Sequence, residues 1–237
     1  DLADTWSLEV VTKNLSEFAD KAINLSWRAS FLKELKKGKF PKQYHGDPDK
    51  VGFFILAMGK LGAFELNYSS DIDLICFFDE EVFHPDEFQD VRRIFINATK
   101  NMYRILNENG KDGYVFRTDL RLRPDPSVTP VCMGVDAAER YYASLGRTWE
   151  RAAFIKARVC AGDHSAGIKF LKNMEPFVWR KYLDYAAISD AHAIRLRIRD
   201  HYKTKKGDIT LNKHNMKLGR GGIRDIEFFT QTHQIIF

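Results

Sequence analysis

Phe53-Phe54-Ile55-Leu56-Ala57-Met58 is a run without a polar side chain, stopped by Gly59. A stretch this short and continuously apolar marks a strand covered on both faces, not a half-exposed strand, which would alternate. A second run, apolar except for Asp73, is Ile72-Asp73-Leu74-Ile75-Cys76-Phe77-Phe78, and it follows closely. The gap is too short for a long crossover helix but holds one or two helical turns around Leu61 to Leu66. A buried sheet therefore starts at Phe53, and the rest of the chain has to cover it.

The covering elements are legible from their periods. Apolar residues at Phe18, Ala22, Leu25, Phe31 and Leu35 predict a leading helix over Glu17 to Lys37. Lys42 to Lys50, with Pro41, Gly46 and Pro48 about it, reads as a loop. Phe88, Val91, Ile94, Phe95, Ala98, Met102, Ile105 and Leu106 predict an amphipathic helix within Pro85 to Asn109, closed by Asn109-Gly110. Tyr114 to Arg123 alternates and predicts a third strand ending before Pro124. Helices are expected over Val135 to Ser144, Trp149 to Ala161, His164 to Met174 and Asp184 to Tyr202. A basic loop from Lys203 to Asn215 and a last helix from about Ile223 follow. The fold class is α+β: a small mixed sheet flanked by helices over residues 1–160, followed by a helical domain over 161–237.

With 44% hydrophobic and 13% aromatic residues the composition is that of a folded domain. No run approaches the roughly 18 apolar residues of a membrane span, and the first residues lack a basic-then-apolar signal pattern. The expectation is a cytoplasmic protein with no membrane partner. The chain starts at Asp1 without a Met, so sequence before it is also expected. Three scattered cysteines, Cys76, Cys132 and Cys160, point to reduced buried thiols, with no disulfide framework or zinc site. The net charge of +5 is concentrated between Arg195 and Arg224. No basic platform interleaved with aromatics is visible, which disfavours nucleic acid as a partner.

Chemistry concentrates at the second run. Side chains two apart on a strand share a face, so Asp71 and Asp73 point together while Ile72 and Leu74 pack behind. Two carboxylates aimed at one point repel, and a hard divalent cation such as Mg²⁺ relieves this. Asp-x-Asp alone is common in solvated strand ends, so its neighbours carry the weight. Gly59, Lys60 and Gly62 form a turn after the first strand, and Ser69 and Ser70 precede Asp71. Such a turn lets backbone N–H groups approach phosphate oxygens, with hydroxyls in support. On the third strand Arg117, Asp119, Arg121 and Arg123 share one face, offering a third carboxylate and guanidinium groups for phosphate. Lys156 and Arg158, late in the helix expected over Trp149 to Ala161, and Lys217, Arg220 and Arg224 about a Gly-rich turn, are further phosphate-binding candidates.

These parts resemble the nucleotidyltransferase superfamily that includes DNA polymerase beta, with its strand, Gly turn, Asp-hydrophobic-Asp and later third acid. More specifically the chain resembles the glutamine-synthetase adenylyltransferase family. The likeness rests on Met58-Gly59-Lys60-Leu61-Gly62, Glu65-Leu66-Asn67, Ser69-Ser70-Asp71-Ile72-Asp73-Leu74-Ile75, Phe116 through Pro124, Trp149-Glu150-Arg151, Ile155-Lys156-Ala157-Arg158 and Lys217 through Phe228. It covers about residues 50 to 237. Ala63-Phe64 stand where the family usually has a further Gly.

The resemblance implies a polymerase-beta-like domain whose Asp71, Asp73 and Asp119 hold one or two Mg²⁺ ions. It implies ATP, ADP and phosphate as ligands, glutamine synthetase as partner substrate, and the PII nitrogen-signalling protein as partner of the full-length enzyme. The family has one half that attaches AMP to a tyrosine and one that removes it by phosphorolysis. Met58-Gly59-Lys60-Leu61-Gly62, Phe177 through Asp184 and Lys217 through Arg224 look more like the N-terminal, removing half. The three carboxylates serve either direction.

Overall fold

A computed structural model describes residues 5–179, 216–217 and 221–236. The helix expected over Asp184 to Tyr202 and the loop from Lys203 to Asn215 lie outside the described residues. The chain divides into two units, Asp1–Leu145 with Lys156–Met174, and Gly146–Ile155 with Glu175–Phe237.

The first unit holds the sheet. β1 (Phe53–Ala57) and β2 (Ile72–Phe78) match the two apolar runs and pair antiparallel, Phe53 opposite Phe78 and Ala57 opposite Leu74. All of β1 is buried, as is β2 except for half-buried Asp73. The short helix α2 (Gly59–Gly62) fills the gap between them. β3 (Thr118–Asp119) and β4 (Cys132–Gly134) run parallel to β2, and β5 (Arg158–Gly162) pairs antiparallel with β1. The five-stranded sheet is thus mixed, in the order β3-β2-β1-β5 with β4 also on β2. With helices about it and further helices after it, the α+β class expected from the sequence holds.

Two helices cover one face. α1 (Leu8–Leu35) starts earlier than the expected Glu17 because Ser7 caps it, and Val11, Thr12 and Ser16 turn inward in its first turns. α3 (Phe88–Asn107) is the amphipathic helix read from its period, with a single 3-10 turn, Pro85–Glu87, before it. Between them Trp27 stacks on Phe53 with centroids 3.6 Å apart, and Phe31, Phe53 and Trp27 all meet Phe95. On the other face Phe170 of α6 (His164–Val178) contacts Phe54 and Phe77. α4 (Val135–Ser144) has the expected bounds.

Two expectations are corrected. The segment Tyr114 to Arg123 is a strand only at Thr118–Asp119. Before it, the amides of Val115 and Phe116 both donate to the carbonyl of Leu106, so the chain wraps the end of α3. After it, the Asp119 carboxylate accepts the Arg121 amide at 2.8 Å, an Asx turn that ends the pairing. The face shared by Arg117, Asp119, Arg121 and Arg123 therefore does not exist as drawn from alternation. The helix expected over Trp149 to Ala161 is α5 (Thr148–Phe154) followed by β5. Val159-Cys160-Ala161 form an apolar run ended by Gly162 at φ +77°, and β1 offered a free edge that outweighed the helical period.

In the second unit α5 packs with α7 (Ile223–Ile236), the last helix read from the sequence. No helix among the described residues is long and apolar enough to cross a membrane.

Trp27 is fully buried at the junction of α1, β1 and α3. Trp27→Ala is expected to lower unfolding stability by about 3–5 kcal/mol, measured by urea denaturation.

Candidate active site

Two backbone hydrogen bonds frame Asp73. The amide of Met58 donates to its carbonyl at 2.9 Å, binding the turn after β1 to β2. On the other edge the Ile72 amide donates to the carbonyl of Arg117 at 2.8 Å, and Asp73 lies opposite Asp119 in parallel register. Gly59 has φ +54°, and a Cβ there would stand 2.9 Å from Asp73 Oδ2. The glycine is required twice, for its backbone conformation and for the carboxylate's approach. Gly62 is required by packing alone, since a Cβ would sit 1.9 Å from the carbonyl oxygen of Lys156. Lys60 is exposed beside them.

Asp71 and Asp119 are each met by an arginine. Arg117 Nε donates to Asp71 Oδ1 at 2.5 Å, and its other nitrogens reach the Ser69 carbonyl and the Tyr114 hydroxyl. Arg121 grips Asp119 through Nε and Nη2, the latter at 2.6 Å. These hydrogen bonds hold the Asp119 carboxyl below the usual carboxylate range against the opposing effect of burial. Arg121 is correspondingly raised, first by its bonds to Asp119, with further attraction from Asp73 and Asp71. Among the described residues no three His, Cys, Asp or Glu side chains converge closely enough to hold a metal ion. Two of the three acids point to arginines instead. Their chemistry, hard oxygen donors adjacent across β2 and β3, nevertheless suits a hard divalent cation.

The remaining predicted residues separate by role. Ser70 Oγ accepts the Asn67 amide and closes the turn before Asp71. Arg123 donates to the carbonyls of Leu120, Pro126 and Thr129, clamping the loop that follows β3. Arg158 forms a two-pronged pair with Asp20 of α1 at 2.7 and 2.9 Å, donates to the carbonyl of Leu61, and lies 3.9 Å over the Phe64 ring. Lys156 pairs with Glu65 at 2.8 Å. Lys217 and Arg224 belong to the second unit, where the Arg224 amide donates to the Lys217 carbonyl. Arg220 lies outside the described residues.

Sequence reasoning missed two residues of α3. A cleft of about 450 Å³ opens beside β3, lined by Asp71, Arg117, Thr118, Asp119, Leu120, Arg121 and Val131, and by Lys100 and Tyr103. The period that buried Ala98 and Met102 also turned Lys100 and Tyr103 outward together, and that was the available signal.

Burial holds the Asp20 carboxyl above its ordinary value, more strongly than the Arg158 hydrogen bonds and charge lower it. A raised folded-state pKa means that stability falls as pH climbs from the unfolded value through the folded one. Arg158→Met should raise Asp20 further and cost about 3 kcal/mol at neutral pH, with part of the loss recovered on acidification. Denaturant titrations at several pH values read this directly. Gly59→Ala should cost about 1–2 kcal/mol from the left-handed backbone alone and displace the Asp73 carboxylate, visible as a shifted Asp73 resonance.

The same chain matches the family model described as glutamate-ammonia ligase adenylyltransferase over residues 1–173, and that described as GlnD PII-uridylyltransferase over 192–237. It is similar to the bifunctional glutamine synthetase adenylyltransferase/adenylyl-removing enzymes of Rhizobium meliloti, Bartonella quintana and Caulobacter vibrioides, at 50%, 48% and 46% identity. Each alignment takes in all 237 residues of this chain and 24% of the relative, so the chain spans about a quarter of the length of the curated relatives it matches. The glycine turn, the paired acids and the arginine segment lie within a match that covers the whole sheet, and the chain belongs to the glutamate-ammonia ligase adenylyltransferase family.

Proposed function

We propose that this chain carries a nucleotidyl-transfer centre that acts on glutamine synthetase, removing AMP from a tyrosine by phosphorolysis and releasing ADP. The reading is carried by one observation: Asp119 stands beside Asp73 across β2 and β3, and Asp71 lines the same cleft as Asp119. Family membership and relatives whose name includes adenylyl removal support it. The proposal extends to the PII nitrogen-signalling protein as a partner of the full-length enzyme in the control of nitrogen assimilation.

Asp71, Asp73 and Asp119 would hold one or two Mg²⁺ ions. When bound, the ions supply positive charge to the phosphate oxygens and to the attacking and leaving oxygens. Arg117 and Arg121, which reach Asp71 and Asp119 through exposed pairs, would orient the adenylyl phosphate. Gly59 and Lys60 line the near side of the phosphate seat. An oxygen of inorganic phosphate attacks the adenylyl phosphorus, the bond to the tyrosyl oxygen breaks, and that oxygen leaves with its electron pair. Holding both phosphates in line against their repulsion is the protein's main contribution.

Incubating the intact protein with AMP-modified glutamine synthetase, phosphate and Mg²⁺ should release ADP. Pyrophosphate from ATP and unmodified glutamine synthetase, with no ADP in the first assay, would assign the attaching direction instead. Asp71→Asn, Asp73→Asn and Asp119→Asn should each lower turnover by about 10²-fold or more. Unchanged turnover in any of them would remove that residue from the centre.

A further inference from the structure

The strand order β3-β2-β1 puts the carboxylates between two unlike surfaces. On the β1 side the Gly59 turn lies tight against the Asp73 carboxylate, with the exposed Lys60 beside it. On the β3 side lies the open cleft of about 450 Å³. Displacement at phosphorus places the attacking and leaving groups in line on opposite sides. One reactant is a small, wholly polar anion, and the other is an aromatic side chain borne on a protein.

The cleft suits the second. Its wall is amphiphilic: Tyr103, Leu120 and Val131 offer apolar surface, and Lys100 stands among them. Of the three cations that line the cleft, Arg117 and Arg121 each hold a carboxylate, while Lys100 makes no ion pair among the described residues. Lys100 and Tyr103 sit one turn apart on the exposed side of α3, a helix fixed by its buried face, so their side chains start from fixed backbone positions.

We infer that this cleft is the seat of the tyrosyl group, with Tyr103 against the ring and the Lys100 ammonium beside the phenolic oxygen. The inference rests on the proposed AMP exchange but holds for either direction, because removal and attachment pass through the same arrangement. In removal the P–O bond to the ring oxygen breaks with its electron pair on that oxygen. Lys100 pairs with the phenolate until it takes a proton from water. In attachment the same charge favours the ionised hydroxyl that attacks.

The test compares two small substrates in the intact protein, the phenyl and nitrophenyl esters of AMP, with phosphate and Mg²⁺. A phenolate needs a cationic partner far more than the stable nitrophenolate does. Lys100→Met should therefore slow the phenyl ester by about 10²-fold and the nitrophenyl ester much less. Equal losses on both esters, or no loss, would overturn the assignment. Thermal melts establish that the exposed substitution leaves the fold intact.

A binding measurement separates this inference from the reaction itself. With lysines dimethylated, the Lys100 resonance, assigned by its loss in Lys100→Met, should move on adding the amide of O-adenylyl tyrosine and stay in place with AMP alone. Tyr103→Ala should weaken the binding of the tyrosine derivative and leave that of AMP unchanged. A Lys100 signal that does not move, or moves equally with AMP, would overturn the seat even in an active enzyme. If neither ester turns over while the signal moves as expected, the seat stands and the transfer reaction fails.

Discussion

The pair of backbone hydrogen bonds on the two edges of β2, Met58 to Asp73 and Ile72 to Arg117, sets the geometry of everything near the carboxylates. One fixes the glycine turn on the β1 side, and the other brings Asp119 level with Asp73 on the β3 side. Neither side chain could hold this arrangement by itself, since exposed charges gain little from one another in water. The backbone ladder, buried under the Trp27, Phe31, Phe53 and Phe95 rings, supplies the rigidity.

The arginines divide according to what they would lose by moving. Arg117 and Arg121 form pairs open to water, which screens them, so a ligand or ion can exchange with them readily. Arg158 is largely buried, holds Asp20 with two bonds, caps the end of α2 and stacks on Phe64. Arg123 spends its donors on three loop carbonyls. These two hold the frame of the site, and the phosphate-facing role proposed from sequence fits Arg117 and Arg121 better.

Phe64 illustrates a compensation within that frame. It stands at φ +58°, a conformation costing roughly 1–2 kcal/mol for a side-chain-bearing residue. The Arg158 guanidinium, 3.9 Å over its ring, gives a contact worth about 0.5–2 kcal/mol. The two are of similar size, so the contact offsets the strain in the turn.

The apolar runs by themselves determined β1 and β2, and the helical period of Phe88 to Leu106 determined α3, because burial on a fixed repeat leaves a mark that local sequence carries. The positions of Asp71, Asp73 and Gly59 came with them. The tertiary structure alone decided the rest. Whether Tyr114 to Arg123 paired depended on the Leu106 carbonyl and on the Asp119 Asx turn, and whether Arg158 to Gly162 became a strand depended on the open edge of β1. It also decided that Arg158 and Arg123 serve the frame while Lys100 and Tyr103 face the cleft. Such outcomes depend on partners distant in sequence, and a residue's own neighbours carry no trace of which distant group will satisfy its charge.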